Sequence, residues 1–106
     1  MAERVTYAGF QEKVIAFAGV ALIDFYSDTC VPCKRMSPIL SALENQYPET
    51  LYVAKVNVAY EKELVEEYGI RSTPTFLLFK NGEIAERFSG VKKKEDLEKI
   101  IEENLK

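Results

Sequence analysis

Val20-Ala21-Leu22-Ile23-Asp24-Phe25-Tyr26, followed by Thr29-Cys30-Val31-Pro32-Cys33-Lys34, decides how this chain folds. The first segment is a short, nearly unbroken apolar run bounded by Gly19 and polar residues, the pattern of a buried strand. Beyond the second segment, Met36, Ile39, Leu40, Leu43 and Tyr47 recur at spacings of three and four, the pattern of an amphipathic helix. A strand, a tight turn and a helix therefore meet at the cysteines, with the helix beginning near Cys33. The first turn of a helix carries unpaired N–H groups and the positive end of the macrodipole, and both favour a thiolate over a thiol. Lys34 and Arg35 add positive charge to that turn. Cys30 is thus expected to be the exposed, thiolate-forming cysteine.

The spacing of the pair determines what the second sulfur can do. With only Val31 and Pro32 between them, the sulfurs can reach bonding distance and close a small-ring disulfide. Pro32 has no N–H to lose at a helix start and presets its φ, which stiffens the turn. Such a pair exchanges disulfides: one thiolate attacks a partner's disulfide, a mixed disulfide forms, and the neighbouring thiol resolves it. Attack is assigned to Cys30 and resolution to Cys33. The competing reading is an inert staple, but so short a loop constrains little of the unfolded chain. A zinc site usually needs four Cys or His ligands. This chain has two Cys and no His, so only a metal bridging two copies would survive.

Composition removes other classes. At 106 residues the chain is expected to be one domain, residues 1–106, with a small core of its own. Hydrophobic residues at 47% and charged ones at 29% are ordinary for a soluble globular protein and argue against disorder. The net charge of −3, with no basic cluster beyond Lys92-Lys93-Lys94, argues against nucleic acid as a partner. Without histidine there is no Ser/His or Cys/His nucleophile pair. The glycines form neither GxGxxG nor GxxxxGK, so no nucleotide cofactor is expected. Met1-Ala2-Glu3-Arg4-Val5 lacks a signal-peptide pattern and no apolar run approaches membrane length, so a cytoplasmic protein without a membrane partner is expected. In that compartment a lone Cys pair is more often redox-active than structural.

Outward from the centre, Glu3-Arg4-Val5 reads as a short edge strand. Thr6 reads as an N-cap, and Phe10 and Val14 mark a first helix to about Phe17. Pro38 lies inside the second helix and should kink it one turn past the cysteines, and Pro48 closes it. Leu51 to Val58 is a third strand interrupted by two polar residues. An acidic helix from about Glu61 to Tyr68 ends at Gly69, a suitable C′ residue. Thr75 to Lys80 is a fourth strand, and Asn81-Gly82 signals a type I′ hairpin returning as Glu83 to Ser89. Past Gly90, Leu97, Ile100, Ile101 and Leu105 form the stripe of a last helix. The order βαβαβαββα implies an α/β fold with a mixed sheet and helices on both faces.

Nearly the whole chain resembles the thioredoxin family, in its small bacterial form. The resemblance rests on Ile23-Asp24-Phe25, Cys30-Val31-Pro32-Cys33-Lys34, Pro38-Ile39-Leu40, Val53-Ala54-Lys55-Val56-Asn57, Tyr68-Gly69-Ile70-Arg71, Thr73-Pro74-Thr75, and Phe79-Lys80-Asn81-Gly82 with Gly90 beyond. It implies a thioredoxin fold, a central mixed five-stranded sheet flanked by four helices, and a thiol–disulfide oxidoreductase that reduces protein disulfides and is recharged by a thioredoxin reductase. The family acts as a monomer and needs neither cofactor nor metal. Carried over residue by residue, Asp24 looks like the buried carboxylate behind the second cysteine and Lys55 like its neighbour. Pro74 looks like the family's cis-proline. Val31, Pro32, Thr73, Pro74, Gly90 and Val91 look like the surface that meets a substrate. Burial of a carboxylate in an apolar strand independently predicts a raised pKa and proton exchange near neutrality, against the alternative of a purely structural aspartate. Two positions depart from the family: Thr29 stands where Trp is usual and Val31 where Gly is usual. The competing functions are a redox-switched binding module and an electron donor dedicated to a single enzyme.

Overall fold

In the computed structural model, which describes residues 2–106, the elements follow as β1 (Glu3–Arg4), α1 (Tyr7–Phe10) continuing into a π-helical turn (Gln11–Ile15), β2 (Val20–Tyr26), α2 (Val31–Gln46), β3 (Leu51–Asn57), α3 (Lys62–Tyr68), β4 (Thr75–Lys80), β5 (Glu83–Ser89) and α4 (Lys94–Leu105). The strands form one sheet in the order β1-β3-β2-β4-β5. β1 and β2 run parallel to β3, whereas β4 is antiparallel to β2 and β5. This is the mixed five-stranded sheet with four helices that the element order implied.

The period of two along β2 divides the interior. Ala21, Ile23 and Phe25 join Phe10, Val14 and Leu64 on the face covered by α1 and α3. Val20 and Leu22 join Met36, Leu40, Leu43, Leu97 and Ile101 on the face covered by α2 and α4. A strand buried on both faces has to be apolar throughout, which accounts for the unbroken run in the sequence. Asp24 shares the parity of Val20 and Leu22. It therefore points toward α2, the helix that carries the cysteines.

Several boundaries differ from expectation. The first helix ends at Ile15, not near Phe17, and its last turn is wider, with the Ala16 N–H donating to Gln11 O at 2.9 Å. The chain must leave the helix there because Gly19 is clamped to the β4–β5 turn. The Gly19 N–H donates to Asn81 Oδ1 at 3.1 Å, and the Asn81 N–H donates to Gly19 O at 2.9 Å. The third strand ends at Asn57, not Val58, because Asn57 turns the chain: its Oδ1 accepts from the Ala59 N–H and its carbonyl accepts from the Tyr60 and Glu61 N–H groups. The second helix begins at Val31, two residues before Cys33, with Cys30 as its N-cap. It runs unbroken through Pro38.

The β4–β5 turn has positive φ at both central residues, 50° at Asn81 and 84° at Gly82, as a type I′ turn requires. Gly82 is constrained a second time, because a Cβ there would lie 2.5 Å from the Ile15 carbonyl oxygen. Gly82→Ala is therefore expected to cost about 1–3 kcal/mol, the range for a non-glycine residue forced into such a conformation. Denaturant unfolding measures it, and an unchanged midpoint would show that the turn and the first helix separate freely.

Candidate active site

The first turn of α2 positions both cysteines. Cys30 has extended backbone as the N-cap, Val31 and Pro32 occupy the first two helical positions, and Cys33 the third. The Cys33 N–H donates to Cys30 Sγ at 3.1 Å, so the sulfur takes the place that a Ser or Asp oxygen takes at an ordinary N-cap. Pro32 fits because the second helical position has no intrahelical partner for an N–H. The two cysteines are joined as a disulfide, with their Cα atoms 5.2 Å apart. A sulfur at the N-cap, facing an amide of the first turn, receives both a hydrogen bond and the dipole field, and each favours its ionised form after reduction.

Exposure separates the cysteines less than the sequence suggested. Cys30 is 9% exposed and Cys33 5%, so Cys30 is not the open thiol expected above. Tyr26, at the end of β2 just before the turn, forms one buried cluster with the two cysteines. What distinguishes the pair is position, since only Cys30 faces the helix N-terminus. Outside this cluster Val31 is 60% exposed and Val91 50% exposed, and Pro32 is exposed as well.

The loops around the pair come from distant parts of the chain. The Thr73–Pro74 peptide is cis, and Pro74 O accepts from the Gly90 N–H at 3.0 Å, which ties the 70–74 loop to the segment carrying Gly90 and Val91. Thr75 Oγ1 donates to Ser72 O at 2.7 Å. The Lys92 N–H approaches Met36 Sδ at 3.4 Å and brings the start of α4 against α2. Arg87 of β5 donates from Nη1 to Tyr68 O and from Nη2 to Gly69 O, satisfying carbonyls at the end of α3 just before the same loop.

Behind Cys33 lies a polar cavity of about 200 Å³ lined by Arg4, Asp24, Tyr26, Cys33, Lys34 and Lys55, with Ser27, Asp28 and Ser37 at its edges. Asp24 is 3% exposed, and its Oδ1 has no hydrogen-bond partner. Burial pushes its carboxyl up from 3.8 to about 7, while Lys55, its register partner on β3, pulls in the opposite direction. Desolvation wins because burial removes most of the carboxylate's hydration and the lysine makes no direct bond to it. The strand tolerates this cost because Leu22, Ile23 and Phe25 are fully buried beside it, each contributing roughly 1.5–3 kcal/mol. A carboxyl that titrates near neutrality, in one cavity with Cys33, can take a proton from that thiol.

The sequence pattern named Asp24, Lys55 and both cysteines; the fold brings Asp24, Lys55 and Cys33 to this cavity, while Cys30 is joined to Cys33 outside its lining. The pattern did not single out Tyr26 or Arg4. Tyr26 lies two residues beyond Asp24 on β2, so the period of two alone places it on the same face. Among the described residues no helix is long and apolar enough to cross a membrane, and no three or more Cys, Asp or Glu side chains are grouped to hold a metal ion.

Comparison with known proteins agrees with this geometry. The family model described as Thioredoxin matches residues 2–103. A thioredoxin of Rickettsia bellii is 35% identical over 105 residues, covering 99% of this chain and 100% of that protein. One from Porphyra purpurea is 36% identical over 98 residues, covering 92% of each chain. One from Bacillus subtilis is 37% identical over 87 residues, covering 82% of this chain and 84% of its own.

Proposed function

The chain belongs to the thioredoxin family, and from that premise we propose the part each residue plays in its chemistry. The protein is a thiol–disulfide oxidoreductase that reduces protein disulfides, with disulfide-containing proteins as substrates and a reductase to recharge it. In the reduced form the Cys30 thiolate attacks one sulfur of the substrate disulfide, that S–S bond breaks, and its electron pair leaves on the other substrate sulfur, which takes up a proton. Asp24 then accepts the Cys33 proton. The Cys33 thiolate attacks Cys30 Sγ, and the second substrate sulfur departs as a thiolate that is protonated in turn. Two electrons pass to the substrate and Cys30–Cys33 closes as a disulfide. The observation that carries this reading is the Cys33 N–H bonded to Cys30 Sγ at the N-cap, with the cavity of Asp24 directly behind.

Val31, Pro32, Thr73, Gly90 and Val91 form the surface on which an extended substrate segment lies; Pro74, expected in that surface, is buried beneath it. The exposed tips of Val31 and Val91 and the Pro74–Gly90 bond between the two loops support this. We read residues 1–106 as one such domain, acting as a monomer in the cytoplasm and reduced there by a thioredoxin reductase. Catalysed reduction of insulin by dithiothreitol tests the function, because a redox-switched binding module would bind a disulfide partner without turning it over.

Thr29 and Val31 flank the nucleophile, so any reductase must dock against them, and contact residues set partner choice by differential fit. Thr29→Trp with Val31→Gly is expected to raise turnover by a reductase adapted to Trp and Gly by about tenfold, the equivalent of about 1.4 kcal/mol of docking energy. Steady-state assays with a standard bacterial thioredoxin reductase measure this, and no gain over the parent would remove these positions from partner choice.

A further inference from the structure

We infer that Tyr26 is a positioning residue for proton transfer: its hydroxyl, with Asp24 Oδ1, holds water in the cavity behind Cys33 and keeps the Asp24 carboxylate directed toward that thiol. The inference rests on the assignment of Asp24 as the proton acceptor. Three independent features of Tyr26 lead to it. It forms one buried cluster with Cys30 and Cys33. It lines the same cavity as Asp24 and Cys33. Its hydroxyl is buried without a partner, and of the described residues' buried side-chain oxygen and nitrogen atoms only Asp24 Oδ1 shares that condition.

A buried hydroxyl or carboxylate left unpaired costs roughly 1–3 kcal/mol or more, so two of them on one small cavity call for a shared partner. The cavity, at about 200 Å³, is roomy enough for water and has polar walls. The alternation of side chains along β2 sends Asp24 and Tyr26 to the same face, two residues apart. Water bonded to both can accept from the tyrosine O–H and donate to the carboxylate. That bond favours the ionised carboxylate, the form that takes the Cys33 proton.

The charges around the pair fix the ring and set the field. Lys55 of β3 places Nζ 5.1 Å from the centre of the Tyr26 ring, and Arg4 of β1 places Cζ 6.0 Å from it. Lys34 of α2 and Asp28 from the loop after β2 complete the charged lining, with the Cys33 thiol as the remaining titratable group. Tyr26→Phe leaves the ring packing and both cation contacts in place and removes only the hydroxyl. It therefore isolates the role proposed here.

The experiment has two readouts. In the oxidised protein, the Asp24 carboxyl carbon is followed by NMR across pH. Tyr26→Phe is expected to raise its midpoint by about half a unit to one unit, the worth of one hydrogen bond to the charged form. An unchanged or lowered midpoint overturns the inference, and because no substrate is present this result is independent of whether the protein reduces disulfides. In the second readout, release of a preformed mixed disulfide on Cys30 is expected to slow about three- to tenfold in Tyr26→Phe. Combined with Asp24→Asn, the tyrosine change should slow release no further. Further slowing in the double variant would show that the Tyr26 hydroxyl acts independently of Asp24, and would overturn the inference.

Discussion

Cys30→Ser is expected to abolish insulin reduction, by on the order of 10³-fold or more, because removing the attacking atom leaves only binding. Cys33→Ser should lose steady-state turnover as completely but by a different route, accumulating a mixed disulfide through Cys30. The asymmetry follows from the first turn of α2. Only Cys30 stands at the N-cap, where its Sγ accepts the Cys33 N–H at 3.1 Å, whereas Cys33 faces inward to the cavity of Asp24. Exposures of 9% and 5% are too close to produce such a contrast by access alone, so the helix terminus has to supply it. Iodoacetamide labelling of the reduced protein at mildly acidic pH, read by mass spectrometry, should modify Cys30 first. Faster labelling of Cys33, or a mixed disulfide trapped by Cys30→Ser and not by Cys33→Ser, would reverse the assignment.

Asp24→Asn should slow the resolving step by about 10²-fold, the low end for loss of a positioned acid–base group, while leaving the first attack nearly intact. Its second effect is on stability. The folded carboxyl titrates at about 7 against 3.8 unperturbed, so between those values the folded protein binds a proton that the unfolded chain does not. Stability contributed by this group is therefore lost as pH rises from about 4 to about 7 and is constant above. The span corresponds to about 4 kcal/mol. Asparagine does not ionise, so the variant should equal the parent near pH 4 within the cost of an altered amide and exceed it by a few kcal/mol at pH 8. Asp24→Ala should show the same trend, reduced by the cavity it leaves. Urea unfolding of parent and variants at both pH values decides the matter. Parallel pH dependence would mean that Asp24 is not a buried proton acceptor, and unchanged resolution kinetics across pH would leave it purely structural.

Most of the architecture was legible in the sequence because the forces that set it act within a few residues along the chain. The apolar run Val20–Tyr26, the three-and-four spacing from Met36 to Tyr47, Gly69 closing α3 with φ of 61° and Asn81-Gly82 turning the hairpin are all local choices of backbone and burial. The two-residue gap between Cys30 and Cys33 is equally local, and with it the capacity to form a disulfide. Other features depended on elements that meet only after folding. The first helix stops at Ile15 because Asn81, sixty-two residues beyond Gly19, clamps the chain. The row Arg4, Lys55 and Asp24 exists only through the register of three neighbouring strands. Sequence pattern could place a carboxylate in a buried strand. How far its titration moves depended on water excluded and charges brought near by segments far apart in the chain, and only the tertiary structure decided that.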